Sequence, residues 1–424
     1  MKKLVVLTLL LIGAVSPAQE ILTLQESYEL AEKNYPLGSQ IQLLEEKAAR
    51  EQEVIQKDYL PKFNINAKAS YQSDVTEIPI DLGGQSIETV DKDQYRATLD
   101  VEQLIFNGGA INSRSSLKDL ELQSQAQQVR VSLYQIKKRI NRYYFGALQL
   151  REQISLLESK ENALGGRVKE LESQVKYGTA LPASENVIKA EILKIKQQKE
   201  EAESQLHTVL KSLSAYIARP VDISTVLELP EQEILIEAPG ARPEIEWFNL
   251  REEELDQNKE ILAKSLYPNI YGFAQGGYGK PGYNFLDNSF QDFYMVGVKM
   301  NWNVFDWGKV KEQQKSLDIS KDMINAERET FNFNNNIELE EALIRIDQLQ
   351  KTLLQDNEII ALRENIAESS NSQLKNGIIT PSEYLTEFNN LYEAKINQQL
   401  HKVELEMAKA DYRIIKGNKE NKLR

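Results

Sequence analysis

From Val129 onward the apolar residues fall at Val129, Leu133, Ile136, Ile140, Tyr143, Ala147, Leu150, Ile154 and Leu157, then at Leu164, Val168, Leu171 and Val175. The steps alternate four and three, with one miss at Glu161, inside a stretch from Ala110 to Lys176 that contains no proline. A heptad seam held over so many turns predicts one very long helix packed as in a coiled coil. At ~1.5 Å per residue it would run roughly 100 Å. Gly165-Gly166 interrupts it near its end, either as a tolerated flaw or as a hinge. Lys309–Lys375 predicts a second such helix, with Leu339, Ala342, Ile346, Leu349 and Leu353 on its seam and a start weakened by Asn332 and Asn334–Asn336.

Ahead of each long helix the period changes to two. Phe63–Gln72 alternates apolar or small residues with polar ones. Next, Tyr95, Ala97, Leu99 and Val101 oppose Arg96, Thr98, Asp100 and Glu102. Tyr294, Val296, Val298, Met300 and Trp302 likewise oppose Gly297, Lys299, Asn301 and Asn303. Ile270–Tyr278 is less clean, because Tyr271 and Phe273 join Gln275 on the supposed wet face. Such alternation predicts strands with one apolar and one solvated face.

These elements recur in order. Tyr59-Leu60-Pro61-Lys62-Phe63 resembles Leu266-Tyr267-Pro268-Asn269-Ile270, 207 residues on. Ile105-Phe106-Asn107-Gly108-Gly109 resembles Val304-Phe305-Asp306-Trp307-Gly308, and Val175-Lys176-Tyr177-Gly178 with Pro182 resembles Leu374-Lys375-Asn376-Gly377 with Pro381, both 199 residues on. The chain therefore reads as an internal duplication. The first repeat is 19–218, with strands near 62–75 and 93–105, a long helix 110–176 and a return helix 183–217. After a connector at 219–241, the second is 242–416, with strands near 269–279 and 292–304, a long helix 309–375 and a return helix 382–415. Gly178 and Gly377 fit left-handed helix caps, and Pro182 and Pro381 fit the first turn of the returns. Residues 417–424 read as a disordered tail.

Composition narrows the function. The formal net charge of −13 and the lack of a basic patch argue against nucleic acid. With no cysteine there is no disulfide, no thiol chemistry and no lipidated N-terminal cysteine. Lys2-Lys3, the apolar run Leu4–Val15 and Ser16-Pro17-Ala18 read as a signal peptide over 1–18. No other run is apolar for ~20 residues, so any membrane span must come from strands. His207 and His401 lie far apart among charged neighbours, and neither a metal motif nor a phosphate loop nor a nucleophile elbow is present. No enzyme activity and no cofactor are expected.

Four alternating strands cannot close a barrel alone, and an open edge in lipid would leave backbone groups unsatisfied. The alternation thus suggests a barrel shared between subunits, of eight strands from two copies or twelve from three. On it, Tyr95, Leu99, Val101, Val296, Val298 and Trp302 are expected to face lipid. Arg96, Asp100, Glu102, Lys299 and Asn301 are expected to face the lumen.

The order of elements, the duplication, Arg242-Pro243-Glu244-Ile245 opening the second repeat, Leu60-Pro61 and Tyr267-Pro268 before strands, Val304–Gly308 after them and Tyr177-Gly178 at the turn resemble the TolC-type outer-membrane efflux proteins. The resemblance implies an α+β membrane protein: a homotrimer with a 12-stranded outer-membrane β-barrel, four strands per chain, continued by a long α-helical coiled-coil barrel in the periplasm of a Gram-negative bacterium. It implies a passive exit duct of a tripartite efflux or type I secretion system, conducting drugs, small molecules or proteins. The implied partners are a periplasmic adaptor and an inner-membrane pump of the RND, ABC or MFS type. Tyr177, Gly178, Thr179, Pro182, Asn376, Gly377, Ile378 and Pro381 would form the tips that meet the adaptor. Glu383, with Glu387 one helical turn on, would ring a periplasmic gate; an ordinary solvated helix start is the other reading of that pair. From a different functional class, a periplasmic coiled-coil scaffold with a small soluble sheet is the alternative.

Overall fold

The structure is a computed structural model that describes residues 21–76, 91–230 and 242–417. The signal peptide at 1–18, most of the first inter-strand loop, the second half of the connector and the tail after Gly417 lie outside the described residues. In chain order the elements are β1 (Ile21–Leu22), α1 (Leu24–Asn34), a 3-10 turn (Pro36–Gly38), α2 (Ser39–Lys57), β2 (Lys62–Tyr71), β3 (Asp93–Phe106) and α3 (Ala110–Lys176). There follow α4 (Pro182–Ile217), β4 (Val226–Leu227), α5 (Pro243–Lys264), β5 (Asn269–Lys280), β6 (Gln291–Asn301), α6 (Lys309–Lys375) and α7 (Pro381–Lys416).

Two compact units emerge, and neither is one of the repeats. Of the described residues, one holds those up to Ser39, those from Val129 to Pro243 and those from Thr330 on; the other holds those from Gln40 to Gln128 and from Glu244 to Glu329. Each unit takes matching parts of both repeats, because the strands of one repeat pair with those of the other.

The strand-bearing unit holds a four-stranded antiparallel sheet of order β2-β3-β5-β6. Two strands are shorter than the alternation suggests. β2 stops at Tyr71, the partner of Asp93 where β3 begins, rather than near 75. β6 stops at Asn301, opposite Asn269, rather than at 304. The residue before Asn269 is Pro268, which has no N–H with which to extend the ladder. Trp302 therefore lies beyond the strand, and its Nε1 donates to the Leu266 carbonyl at 3.0 Å.

Register sorts the side chains onto two faces. Phe63, Ile65, Ala67, Leu99, Val101, Ala274, Val296, Val298 and Met300 share one of them. It is bare: Ile65 is 82% exposed and Tyr294 81%. Tyr71, Tyr95, Tyr278 and Tyr294 cluster toward the end of this face that carries the inter-strand loops. The other face is polar, and it shows why Tyr271 and Phe273 break the alternation. Phe273 lies opposite Gly297, and a Cβ at Gly297 would sit 2.9 Å from its ring. Phe293 lies opposite Gly277 in the same manner and is only 9% exposed. Each ring occupies the space a side chain at the facing glycine would need, so apolar area is covered on a face that otherwise carries charge.

In the helical unit the seam of α3 is buried at Val129, Leu133, Ile136, Ile140, Ala147, Leu157, Leu164, Val168 and Leu171. The helix runs through Gly165-Gly166 without a break. Around Ile140–Leu148 burial spreads beyond the seam, and Tyr144 and Phe145 are fully enclosed. Here β1 pairs in parallel with β4, and the Tyr144 hydroxyl lies 2.7 Å from both the Leu22 and the Glu228 carbonyls, so its single proton is shared between them. That strand pair ties the start of the described chain to the connector, from residues too few to show a periodicity.

The glycine–ring contact generates a stability prediction. Gly297→Ala should destabilise the folded sheet by about 1–3 kcal/mol through overpacking against Phe273. Adding Phe273→Leu should recover part of the loss, as read by urea unfolding in detergent. A single variant as stable as the parent would remove the contact from the account.

Candidate functional site

The polar face brings all five expected lumen residues together. Arg96, Asp100 and Glu102 alternate along β3, and the register sets Lys299 and Asn301 of β6 on the same side. Asp100 is fully hydrogen-bonded: Oδ2 accepts from Asn66 Nδ2 at 2.6 Å and Thr98 Oγ1 at 3.0 Å, and Oδ1 accepts from Gln275. Gln275 in turn accepts from the Tyr283 hydroxyl at 2.6 Å. Lys299 bridges to Glu102 at 2.8 Å while its Nζ stands 5.2 Å from the centre of the Tyr271 ring. The Arg96 guanidinium lies 5.5 Å over the Phe293 ring. Pairing across strands adds Asn66, Gln275 and Tyr271 to this group, although the alternation alone gave them no role in it.

At the far ends of the long helices the two turns are built alike. The Thr179 N–H donates to Gln174 O at 2.8 Å and the Gly178 N–H to Val175 O at 3.0 Å. The Ile378 N–H donates to Gln373 O at 2.9 Å and the Gly377 N–H to Leu374 O at 3.1 Å. This paired pattern is the Schellman cap, and it needs a left-handed residue. Gly178 supplies it at φ 74° and Gly377 at φ 68°. A Cβ at either glycine would meet only open space, so the demand is conformational. Pro182 and Pro381 open α4 and α7 at the first turn. Beneath the turns Leu164, Val168, Leu171, Ile188, Ile195, Tyr384, Leu385 and Phe388 form one apolar cluster. Tyr177, Ile378 and the previously unmarked Leu181 remain exposed above it.

Glu383 and Glu387 do different work here. The Glu383 carboxylate accepts from the Thr380 backbone N–H at 2.7 Å and from its hydroxyl at 2.9 Å, and the Glu383 N–H donates to Thr380 Oγ1 at 3.3 Å. That is a capping box, and the Thr380-x-x-Glu383 spacing signals it. Glu387 instead accepts from Arg363 Nη1 of α6 at 2.9 Å. The hydrogen bonds from Thr380, the backbone one foremost, hold the Glu383 carboxyl below the usual carboxylate range. Elsewhere on α7, His401 Nδ1 lies 2.7 Å from Asp356 Oδ2. Among the described residues no cluster of His, Asp and Glu could hold a metal, and no helix is long and apolar enough to cross a membrane.

No family model matches the chain, and no curated protein matches it in sequence. Solved structures do match it in shape. It is similar to CusC, whose structures concern folding and transmembrane channel formation, at a TM-score of 0.71 and 13% identity, covering 93% of this chain and 92% of that one. The outer membrane protein VceC of Vibrio cholerae matches at 0.66 and 17%, covering 94% and 97%. The outer membrane channel CmeC of Campylobacter jejuni matches at 0.65 and 15%, covering 93% and 85%. At these identities the likeness is one of fold: the chain has the TolC-type architecture of outer membrane channels that its motifs resemble.

The capping box carries a pH dependence. A carboxyl whose folded pKa is depressed stabilises fully above its unfolded value and loses that stabilisation as pH falls through the folded value. Acidification should therefore fray the first turn of α7 before the helix body. Relative to the intrinsic exchange rate at each pH, hydrogen-exchange protection of the Thr380 and Glu383 amides should fall at acid pH in the parent, and should be low already at neutral pH in Glu383→Ala. Equal protection of the two proteins at neutral pH would exclude the carboxylate from the cap.

Proposed function

We propose that this chain is the outer-membrane exit duct of a tripartite efflux or type I secretion system, assembled as a homotrimer with a 12-stranded barrel. The observation that carries the proposal is the bare apolar face of the sheet, since a solvated sheet would leave Phe63, Ile65, Val296 and Val298 in water without cover. Lipid is the medium that suits such a face, with the tyrosine cluster at its interface. The outer edges of β2 and β6 support a ring of copies. Four strands in antiparallel order leave β6 running opposite to β2, so β6 of one copy meets β2 of the next antiparallel, and the ring closes without an edge. Three copies make twelve strands, wide enough for a lumen. Arg96, Asp100, Glu102, Lys299 and Asn301 then line it.

In this reading the export signal delivers the chain to the outer membrane, where it works without a lipid anchor. The exposed tips at Tyr177–Pro182 and Asn376–Pro381 meet an adaptor that couples the duct to an inner-membrane pump. Glu383 and Glu387 lie at the start of α7, where a closed periplasmic end would bring three copies together. A ring of like carboxylates there would favour cations. Opening would exchange the Arg363–Glu387 contact for solvent.

Membrane fractionation separates this reading from a periplasmic scaffold: a duct partitions to the outer membrane as a detergent-extractable trimer, a scaffold to the soluble fraction. Val298→Arg should cost about 2–4 kcal/mol of insertion if the residue lies near the midplane, leaving little assembled trimer. Normal trimer levels would refute the face assignment. Replacing Gly178 and Gly377 together by leucine should abolish efflux while trimers persist, because leucine resists the left-handed cap; unchanged efflux would clear the turns of any role in docking.

A further inference from the structure

We infer that the loop end of the sheet's polar face holds an anion-binding recess, formed by Lys68, Ser70, Gln94 and Arg96, for a small soluble polyanion bearing carboxylate or phosphate groups. The register places Lys68 directly opposite Arg96 and Ser70 directly opposite Gln94, all four on one side of β2 and β3. Like charges facing each other across two strands repel. Elsewhere on or beside this face charge is answered. Glu102 has Lys299 at 2.8 Å, Lys62 has Asp58 at 3.5 Å, and Asp100 has its three hydrogen-bond donors. Lys280, at the margin of the recess, has Asp91 at 2.5 Å. Among the described residues neither Lys68 nor Arg96 has a carboxylate partner.

The surroundings favour donors over acceptors. Gln94 Oε1 accepts from Gln72 Nε2 at 3.1 Å, and the amide N–H groups of Gln94 remain to donate. Ser70 adds a hydroxyl, Lys68 an ammonium and Arg96 a guanidinium 5.5 Å from the centre of the Phe293 ring. They border an open recess of about 120 Å³ whose lining also includes Tyr95, Lys280 and Pro281. Two cations and two neutral donors with no carboxylate among them form a cradle for anionic oxygens, where charge-assisted hydrogen bonds are the strong ones. The affinity belongs to the face itself; its effect on traffic rests on the duct reading, in which three such recesses would ring the outer half of the lumen.

The test uses the purified full chain in planar bilayers of zwitterionic lipid, with citrate as the probe on the loop side. Citrate should reduce the ionic current at concentrations where acetate does not. Lys68→Gln with Arg96→Gln should raise the half-blocking concentration about tenfold or more, as expected when charge-assisted contacts are lost. Lys68→Arg with Arg96→Lys should keep the block, which separates charge from a folding defect. Lys68→Glu with Arg96→Glu should transfer sensitivity from citrate to spermine. Conducting channels that citrate does not touch, or that it blocks equally in the parent and the double glutamine variant, would overturn the inference. Loss of citrate sensitivity when phosphatidylglycerol replaces the zwitterionic lipid would assign the recess to a headgroup and overturn the soluble ligand. A parent that forms no channel overturns the duct reading instead. The recess is then judged by calorimetric titration of citrate into the detergent-solubilised chain, where saturable heat that the double glutamine variant lacks supports it and no heat in the parent sinks it.

Discussion

The antiparallel ladder between β3 and β5 is the contact on which the rest depends. It joins a strand of the first repeat to a strand of the second, from Tyr95 opposite Lys280 to Phe106 opposite Ile270. Without it each repeat would own a two-stranded hairpin, which is marginal by itself in water. With it the molecule has four strands in register, one continuous apolar face and two open edges. Backbone groups on those edges have no strand partner among the described residues. Pairing between the repeats thus turns two hairpins into one four-stranded sheet.

The next ladder, between β5 and β6, explains how the sheet tolerates aromatic rings on its polar side. Glycines on β5 and β6 leave hollows at Gly277 and Gly297, and Phe293 and Phe273 lie across them. A Cβ at Gly277 would also meet the Ala97 carbonyl at 2.8 Å, so this hollow is closed by backbone as well as by ring. The Phe293 ring lies beneath the Arg96 guanidinium, and Tyr271 does the same for Lys299. Cations held over aromatic faces keep their charge directed into the space above the sheet. The charged groups of this face are therefore positioned by packing as well as by pairing.

Much of this was legible in the sequence because it follows from periods. The heptad steps of α3 and the alternation of β3 and β6 report which side of an element is covered, and the burial of Ile140, Leu164 and Leu171 follows the steps. Features that depend on one atom meeting another were harder to see. β1 and β4 are two residues each, too short for any period, yet they enclose Tyr144. Tyr271 and Phe273 broke the pattern because the glycines they cover sit on neighbouring strands, a relation visible only once the register is known. Glu383 is the opposite case: the Thr380-x-x-Glu383 spacing is a capping signature readable from sequence alone, and the box it describes is formed.

The two halves of the duplication have also diverged where they carry load, and each difference has a local cause. At the corner before α3, Gly108 at φ 65° lies against Tyr267, where a Cβ would meet the tyrosine at 2.5 Å. The matching position before α6 is Trp307 at φ 56°, a bulky residue in a conformation such residues avoid. Asp306 offsets that strain by accepting from the Gly308 and Val310 N–H groups at 2.9 Å each, whereas Asn107 accepts from Gly109 alone, at 3.2 Å. The Trp307 side chain stands out from the surface with its ring edge-on to Phe305, 4.8 Å between centres. At the opposite turns the imbalance is of the same kind, since Thr380 caps α7 through its side chain and Leu181 before α4 does not. In a ring of three copies these pairs would alternate around the axis, so six similar helical hairpins would present two different kinds of tip and two different corners.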